Sequence, residues 1–147
     1  MSKLKTMIIG LVVLVLVADL VIAAWILVHD LHTRFPYLDL SRSRIGVASW
    51  YSRDDKKIKS ETANGEKFDD GEMTCASWDY PFGERLAVIN LLNGKWVVCR
   101  VNDRGPNKRL YRNVDLTYAA FRKIENPKRG LIYVTVIPTD KQKVEVR

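Results

Sequence analysis

The sequence predicts a small, mainly β barrel carried behind one transmembrane helix. Three observations carry that prediction. Residues 7–28 form one apolar run, MIIGLVVLVLVADLVIAAWILV. Beyond residue 44, six short β-prone segments alternate with turn signals, the pattern of a small closed β fold. Only one segment of that region, Thr117–Ile124, has helical spacing.

The apolar run spans about 33 Å as a helix, enough to cross a hydrocarbon core of about 30 Å. Lys3 and Lys5 precede it and favour a cytoplasmic N-terminus with the remaining chain exported. Trp25 suits the outer interface, and Asp19 alone interrupts the run. The expected organisation is a signal-anchor helix over 1–29, a stem over 30–44, a barrel domain over 45–138 and a tail over 139–147. The anchored form is expected at the cell membrane. The alternative is a cleaved signal peptide with small residues at Ala23 or Ala24, which also exports the domain. No cysteine lies in or just after the run, so a lipid-anchored N-terminus is not expected.

The formal net charge is +7, spread along the chain without a block of five like charges. Such a surface suits polyanions, among them cell-wall polymers and anionic headgroups. No recognition motif accompanies the charge, so nucleic acid is not an expected partner. Both histidines, His29 and His32, precede residue 44. A barrel without histidine has no Ser-His-Asp triad, no Cys-His pair and no His-bearing zinc site. No metal or cofactor is expected, and any acid–base chemistry falls to carboxylates.

Ile45–Ser52 alternates as a strand. Arg53–Ser60 is polar and reads as a loop. Asn64-Gly65 marks a tight turn, with Glu66 and Asp69 held beside it. Met73–Trp78 is a short strand and Pro81-Phe82-Gly83 a turn. Arg85–Asn90 and Lys95–Asn102 flank Asn93-Gly94, the strongest hairpin signal in the chain. The second of these strands runs into Asn102-Asp103-Arg104-Gly105-Pro106, a turn that presents a carboxylate where the backbone leaves the core. Val114–Leu116 is a short strand. Thr117 is the expected N-cap of the helix, with Tyr118, Phe121 and Ile124 facing the core. Leu131–Pro138 is a last, buried strand. Cys75 and Cys99 are the only cysteines, read either as a disulfide of an exported domain or as two buried thiols.

The ordered motifs Ala48-Ser49-Trp50-Tyr51, Thr62-Ala63-Asn64-Gly65-Glu66-Lys67-Phe68-Asp69, Thr74-Cys75-Ala76, Pro81-Phe82-Gly83, Val101-Asn102-Asp103-Arg104-Gly105-Pro106 and Val114-Asp115-Leu116-Thr117 resemble the rare-lipoprotein-A-like family. The resemblance covers essentially all of 45–138. It implies a six-stranded double-psi β-barrel with one short helix, a barrel shared with expansins. It also implies an endolytic, metal-free lytic transglycosylase of cell-wall remodelling or division. Such an enzyme cleaves MurNAc–GlcNAc bonds of peptidoglycan glycan strands, preferably stripped of stem peptides, to 1,6-anhydro-MurNAc ends. The alternative is an expansin-like, non-catalytic glycan-binding module tethered to the membrane. Partners implied are glycan strands, the cytoplasmic membrane and proteins of the division machinery.

Carried over by position, the catalytic candidates are Asp103, Glu66 and Asp115. Substrate contacts are expected from Tyr51, Asp69, Ser77, Trp78 and Arg104. Trp50 reads as core. Arg104 is expected either to grip a substrate carboxylate or to pair with Asp115. Lytic chemistry needs one carboxyl that is protonated near neutral pH, by burial or by a like-charged neighbour. Asp103 is expected in that role, with Glu66 or Asp115 beside it. Each carboxylate also has a structural reading: Asp115 as a helix cap, Glu66 and Asp69 as organisers of their turn, Asp103 as a bonder of backbone N–H groups. Ser77 stands where the family commonly has histidine, and serine carries no proton at neutral pH as imidazole does.

Overall fold

The computed structural model describes residues 3–34, 38–55 and 58–139. The chain divides into two units, Met1–Pro36 and Tyr37–Arg147. In the first unit, α1 runs from Lys3 to Arg34. Its Lys3–Leu27 portion is long and apolar enough to cross a membrane. Residues 35–37 of the expected stem, 56–57 of the loop and the tail beyond 139 lie outside the described residues.

The second unit is a closed six-stranded barrel. Its strands are β1 (Arg44–Tyr51), β2 (Thr74–Ala76), β3 (Arg85–Asn90), β4 (Trp96–Asp103), β5 (Val114–Thr117) and β6 (Ile132–Thr139). Helix α2, Tyr118–Ile124, follows β5 directly. The strand order around the barrel is β1-β5-β2-β4-β3-β6. Two pairings, β1 with β5 and β2 with β4, are parallel, and the other four are antiparallel. The interior is filled by alternate residues of every strand, including Ala48, Cys75, Leu86, Val88, Cys99, Val101, Val114, Leu116, Val134 and Val136. Phe121 and Ile124 of α2 pack against them. Closure leaves no free edge, so the strands can be short without fraying.

All six expected strands form, and the differences have local causes. The second is reduced to Thr74–Ala76, because Ser77 leaves the ladder and its N–H turns to Asp103 O (3.2 Å). The fourth extends to Asp103, so the expected turn aspartate is still the last strand residue. Thr117 precedes α2 but makes no side-chain cap. Its hydroxyl donates instead to Glu72 O (2.6 Å) and Thr74 O (3.2 Å). Tyr118 stays partly exposed, edge-on to Trp50, and Ala120 takes its expected place in the core. Within the expected stem, α1 continues to Arg34, while residues 38–43 pack on the barrel. There Asp39 N–H donates to Pro138 O (2.8 Å) and Tyr80 Oη to Arg42 O (2.9 Å).

Cys75 and Cys99 form a disulfide that joins β2 to β4 inside the core. Of the two readings of this pair, the structure selects the crosslink.

Candidate active site

Three consecutive strand pairings build the site. Ser49 of β1 stands opposite Asp115 of β5, Asp115 opposite Ala76 of β2, and Ala76 opposite Asp103 of β4. These four residues make one cross-strand row. Neighbours in each strand, Ala48, Leu116 and Cys75, enter the core, so the period of two turns the row outward. At about 4.8 Å per strand, the α-carbons of Asp103 and Asp115 stand about 10 Å apart. The methyl of Ala76 is all that separates them. Gly105 crosses directly above. A Cβ at Gly105 would come within 3.2 Å of that methyl and 3.8 Å of Asp115 Oδ2, so only glycine fits without displacement.

The loop 60–70 closes over one side of the row. Gly65 adopts the positive φ expected of the Asn-Gly turn, +89°. Asn64 N–H donates to Asn102 O (3.2 Å), and Ala63 N–H donates to Asp103 Oδ1 (2.8 Å). The same oxygen accepts from Arg104 N–H (2.7 Å). Asp103 therefore latches the loop to the end of β4, as its structural reading anticipated, and it also lines a groove. That groove has a volume of about 440 Å³ and is bounded by Ile58, Thr62, Ala63, Phe68, Asp103 and Arg104, among others.

Asp115 lies behind the groove. Its carboxyl accepts from Ser49 Oγ and lies 3.5 Å from Arg112 Nη2. Burial pushes its titration up, more than Ser49 and Arg112 pull it down, and the charge of Asp103 pushes it further up. Asp115 is thus a hydrogen-bonded wall of the site and not the cap of α2.

Glu66 is placed differently. Arg100 binds it in a two-pronged grip, Nη1 to Oε1 at 2.7 Å and Nη2 to Oε2 at 2.9 Å. Asn102 and Asn64 add donors at 3.0 and 2.9 Å. These bonds, Arg100 first, hold its carboxyl down at about 2. Glu66 is a fixed carboxylate whose charge is matched by Arg100. Its folded value lies below its ordinary 4.5, so it stabilises the fold above that value and loses the contribution as pH falls toward 2. We expect Glu66→Gln to flatten the acid branch of the stability curve by up to about one proton, read from urea unfolding between pH 6 and pH 2.5.

The remaining expected contacts divide. Trp78 is half exposed, pinned by Nε1 donation to Pro106 O (2.7 Å), with the Lys108 ammonium 4.9 Å from its ring centre. Tyr51 is buried, its ring stacked on Phe68. Phe68 covers one face of the ring, and the little surface left to Tyr51 borders a second cavity with Trp50, Ser52, Asp70 and Tyr118. Asp69 is exposed and caps its own turn through Gly71 N–H (2.9 Å). Ser77 is fully buried, donating to Asn113 O and accepting from Asp79 N–H, both at 3.3 Å, so it faces away from the groove. Arg104 is not paired with Asp115. Its guanidinium donates to Ser77 O (2.7 Å) and Tyr80 O (2.9 Å) and lies 3.7 Å over the Phe82 ring centre. Arg112 takes the place beside Asp115. Trp50 packs against the core as expected, with Nε1 donating to Pro127 O (3.0 Å).

Three contributors escaped the sequence reading: Ser49, Arg100 and Arg112. Two carried a signal. Ser49 is a polar residue in an alternating strand, and Arg100 is a lone charge within a run of apolar strand residues, where it needs a carboxylate. Arg112 sits in a loop that no periodicity describes.

Known proteins place this geometry. A family model described as "Lytic transglycolase" matches residues 43–136. The chain is 41% identical over 107 residues to the endolytic peptidoglycan transglycosylase RlpA of Pseudomonas aeruginosa, covering 71% of this chain and 30% of that protein. It is 47% identical over 77 residues to a probable endolytic peptidoglycan transglycosylase RlpA of Nostoc sp., covering 52% of this chain and 20% of that one. The chain thus spans about a fifth to a third of these relatives' lengths. Among solved structures, the Streptomyces papain inhibitor superposes with a TM-score of 0.52 at 21% identity, over 71% of this chain and 98% of that one. The Clavibacter michiganensis expansin superposes with a TM-score of 0.52 at 20% identity, over 67% of this chain and 51% of that one. Those two likenesses bear on the barrel alone. With the family model covering residues 43–136, from β1 into β6, and two carboxylates on one row, the chain belongs to the lytic transglycolase family of double-psi β-barrels.

Proposed function

We propose that the barrel is an endolytic lytic transglycosylase acting on peptidoglycan glycan strands, held at the outer side of the cytoplasmic membrane by α1. The observation that carries this reading is the pair Asp103 and Asp115. One carboxyl lines the groove, and the other stands one small residue away, pushed by burial toward its neutral form. The reaction requires one proton on Asp103 at its start, and the neighbouring Asp115 is the carboxyl that burial favours in its neutral form.

In the reaction, that proton passes from Asp103 to the glycosidic oxygen as the MurNAc C1–O bond breaks. The sugar's own C6 hydroxyl oxygen then bonds to C1, and its proton returns to the Asp103 carboxylate. No water is consumed, and one carboxyl serves as acid and then base. Glu66, anionic at every working pH, contributes a fixed negative charge on the loop that borders the groove. Trp78, half exposed and bonded to Pro106 O in the turn that follows Asp103, is an aromatic available for stacking on a sugar. Glycan stripped of stem peptides is the proposed substrate form, and division-machinery proteins are proposed partners.

The test is digestion of purified sacculi by the full-length protein in detergent, with mass analysis of the fragments. Anhydro-ended products support the reading. Glycan binding without products supports instead a tethered binding module, the reading that Ser77, buried at the family's histidine position, would favour.

Asp115→Asn is expected to lower product formation by about 10- to 100-fold. The melting temperature should stay level or rise, because a carboxyl disfavoured by burial is replaced by a neutral amide. A parallel loss of fold and activity would refute the assignment.

A further inference from the structure

Tyr51 is the last residue of β1 and only 7% exposed. Its ring stacks on Phe68 with centres 4.9 Å apart and planes 15° apart, and the same small cluster includes Ala76 of the carboxylate row. Its hydroxyl oxygen is buried and has no hydrogen-bond partner among the described residues. A phenylalanine would fill this space as well and leave no buried donor unmatched, so packing does not explain the hydroxyl.

The surroundings supply a reason. Burial and then the charges of Asp103 and Asp115 push the phenol's titration up, so both carboxylates act on it. The other groups at hand are already engaged. Ser49, two residues earlier on β1, gives its hydroxyl to Asp115. Arg112 pairs with Asp115. Arg53 donates to Phe68 O (2.7 Å) and approaches Asp69, and Asp70 accepts from Ser52 Oγ (2.6 Å). Asp103 directs only Oδ1 at the two backbone N–H groups, and Oδ2 takes no bond among the described residues. A donor without an acceptor and an oxygen without a donor thus belong to one neighbourhood.

We propose that Tyr51 is a positioning residue of this site: its hydroxyl donates to Asp103 Oδ2 as glycan closes the groove, fixing the carboxylate's plane against the scissile bond. The proposal rests on the lytic reading above. It replaces the expected role of Tyr51 as a sugar platform, since the residue is buried and Phe68 covers one face of its ring.

Tyr51→Phe in the full-length protein is the test. The rate of anhydro-product release at saturating glycan falls about 10-fold or more, KM stays within about 2-fold, and the melting temperature holds or rises. An unchanged rate overturns the proposal. So does a loss of rate that follows a lower melting temperature, which marks a merely structural role. A second readout needs no activity. Asp115 is held up partly by the charge of Asp103, so a change at Asp103 is felt there. In carboxyl-carbon NMR with saturating glycan, Asp115 titrates lower in Tyr51→Phe than in the parent by about 0.5 pH unit or more. Coincident curves overturn the proposal even where the parent releases no product, the outcome in which the lytic reading fails by itself.

Discussion

Asp103→Asn is expected to abolish the release of anhydro-ended fragments from sacculi, by about 1,000-fold or more, while the fold survives. The size follows from the double duty of one carboxyl. Loss of a general acid alone removes about 100- to 10,000-fold, and in the proposed reaction the acid of the first step is the base of the second. Survival of the fold follows from geometry. Asparagine keeps an oxygen where Oδ1 accepts from Ala63 and Arg104 N–H, so the loop 60–70 stays latched. Asp103→Ala separates the two roles. It loses the same activity and, in addition, about 1–3 kcal/mol of stability, because two backbone donors lose their acceptor. Sacculus digestion with parallel thermal melts of both variants checks this. Activity of Asp103→Asn near the parent level would remove Asp103 from the chemistry.

Breaking the Cys75–Cys99 crosslink has the largest expected effect on stability. The bond closes a loop of sequence separation 24, and chain entropy assigns such a loop about 3 kcal/mol. Both sulfur positions are fully buried within the barrel, so the double variant Cys75→Ala/Cys99→Ala also leaves thinner packing. For a domain of this size, 3 kcal/mol corresponds to more than about 10 °C in melting temperature. The same bond joins the strand that carries Ala76 to the strand that ends in Asp103. Reduction is therefore expected to depress activity at temperatures where the fold persists. Melts and sacculus digestion with and without reductant measure both effects, and equal melting temperatures would show that the crosslink adds nothing.

The barrel was legible because its strands obey period two and its turns carry their own chemistry. Arg85–Asn90 and the Asn93-Gly94 hairpin read directly, since both signals are local. The same holds for Asp103, which a strand and a turn bracket. Pairing was not legible. Nothing in Val114–Leu116 says that it lies parallel to β1 and antiparallel to β2, and the carboxylate row exists only through those pairings. The site residues divided on that line. Asp115 was found by position in a motif, but its burial beside Ser49 needed the fold. Glu66 was found the same way, yet its charge state is set by Arg100, thirty-four residues away. Ser77 read as a substrate contact from its place at the family's histidine position, and Arg104 from a charge able to grip a substrate carboxylate. The barrel uses one to bridge loops from within, and the other to tie two carbonyls and cover Phe82. Thr117 sat where a cap belongs, but carbonyls of the preceding strand region claimed its hydroxyl.

One feature ties ancestry to architecture. The oxygen of Asp103 that holds Ala63 belongs to the group proposed to meet the glycan, so selection for shape alone retains this aspartate. Asp115 latches no backbone in this way, and its partners are two side chains, Ser49 and Arg112. It is a buried acid whose presence disfavours the fold at neutral pH, and Tyr51 likewise brings a hydroxyl the packing does not need. In a lineage that drifts from cutting the wall to merely holding it, those two positions are free to change first. Across such a lineage, the pair Asp115 and Tyr51 is the sharper marker of chemistry still under selection.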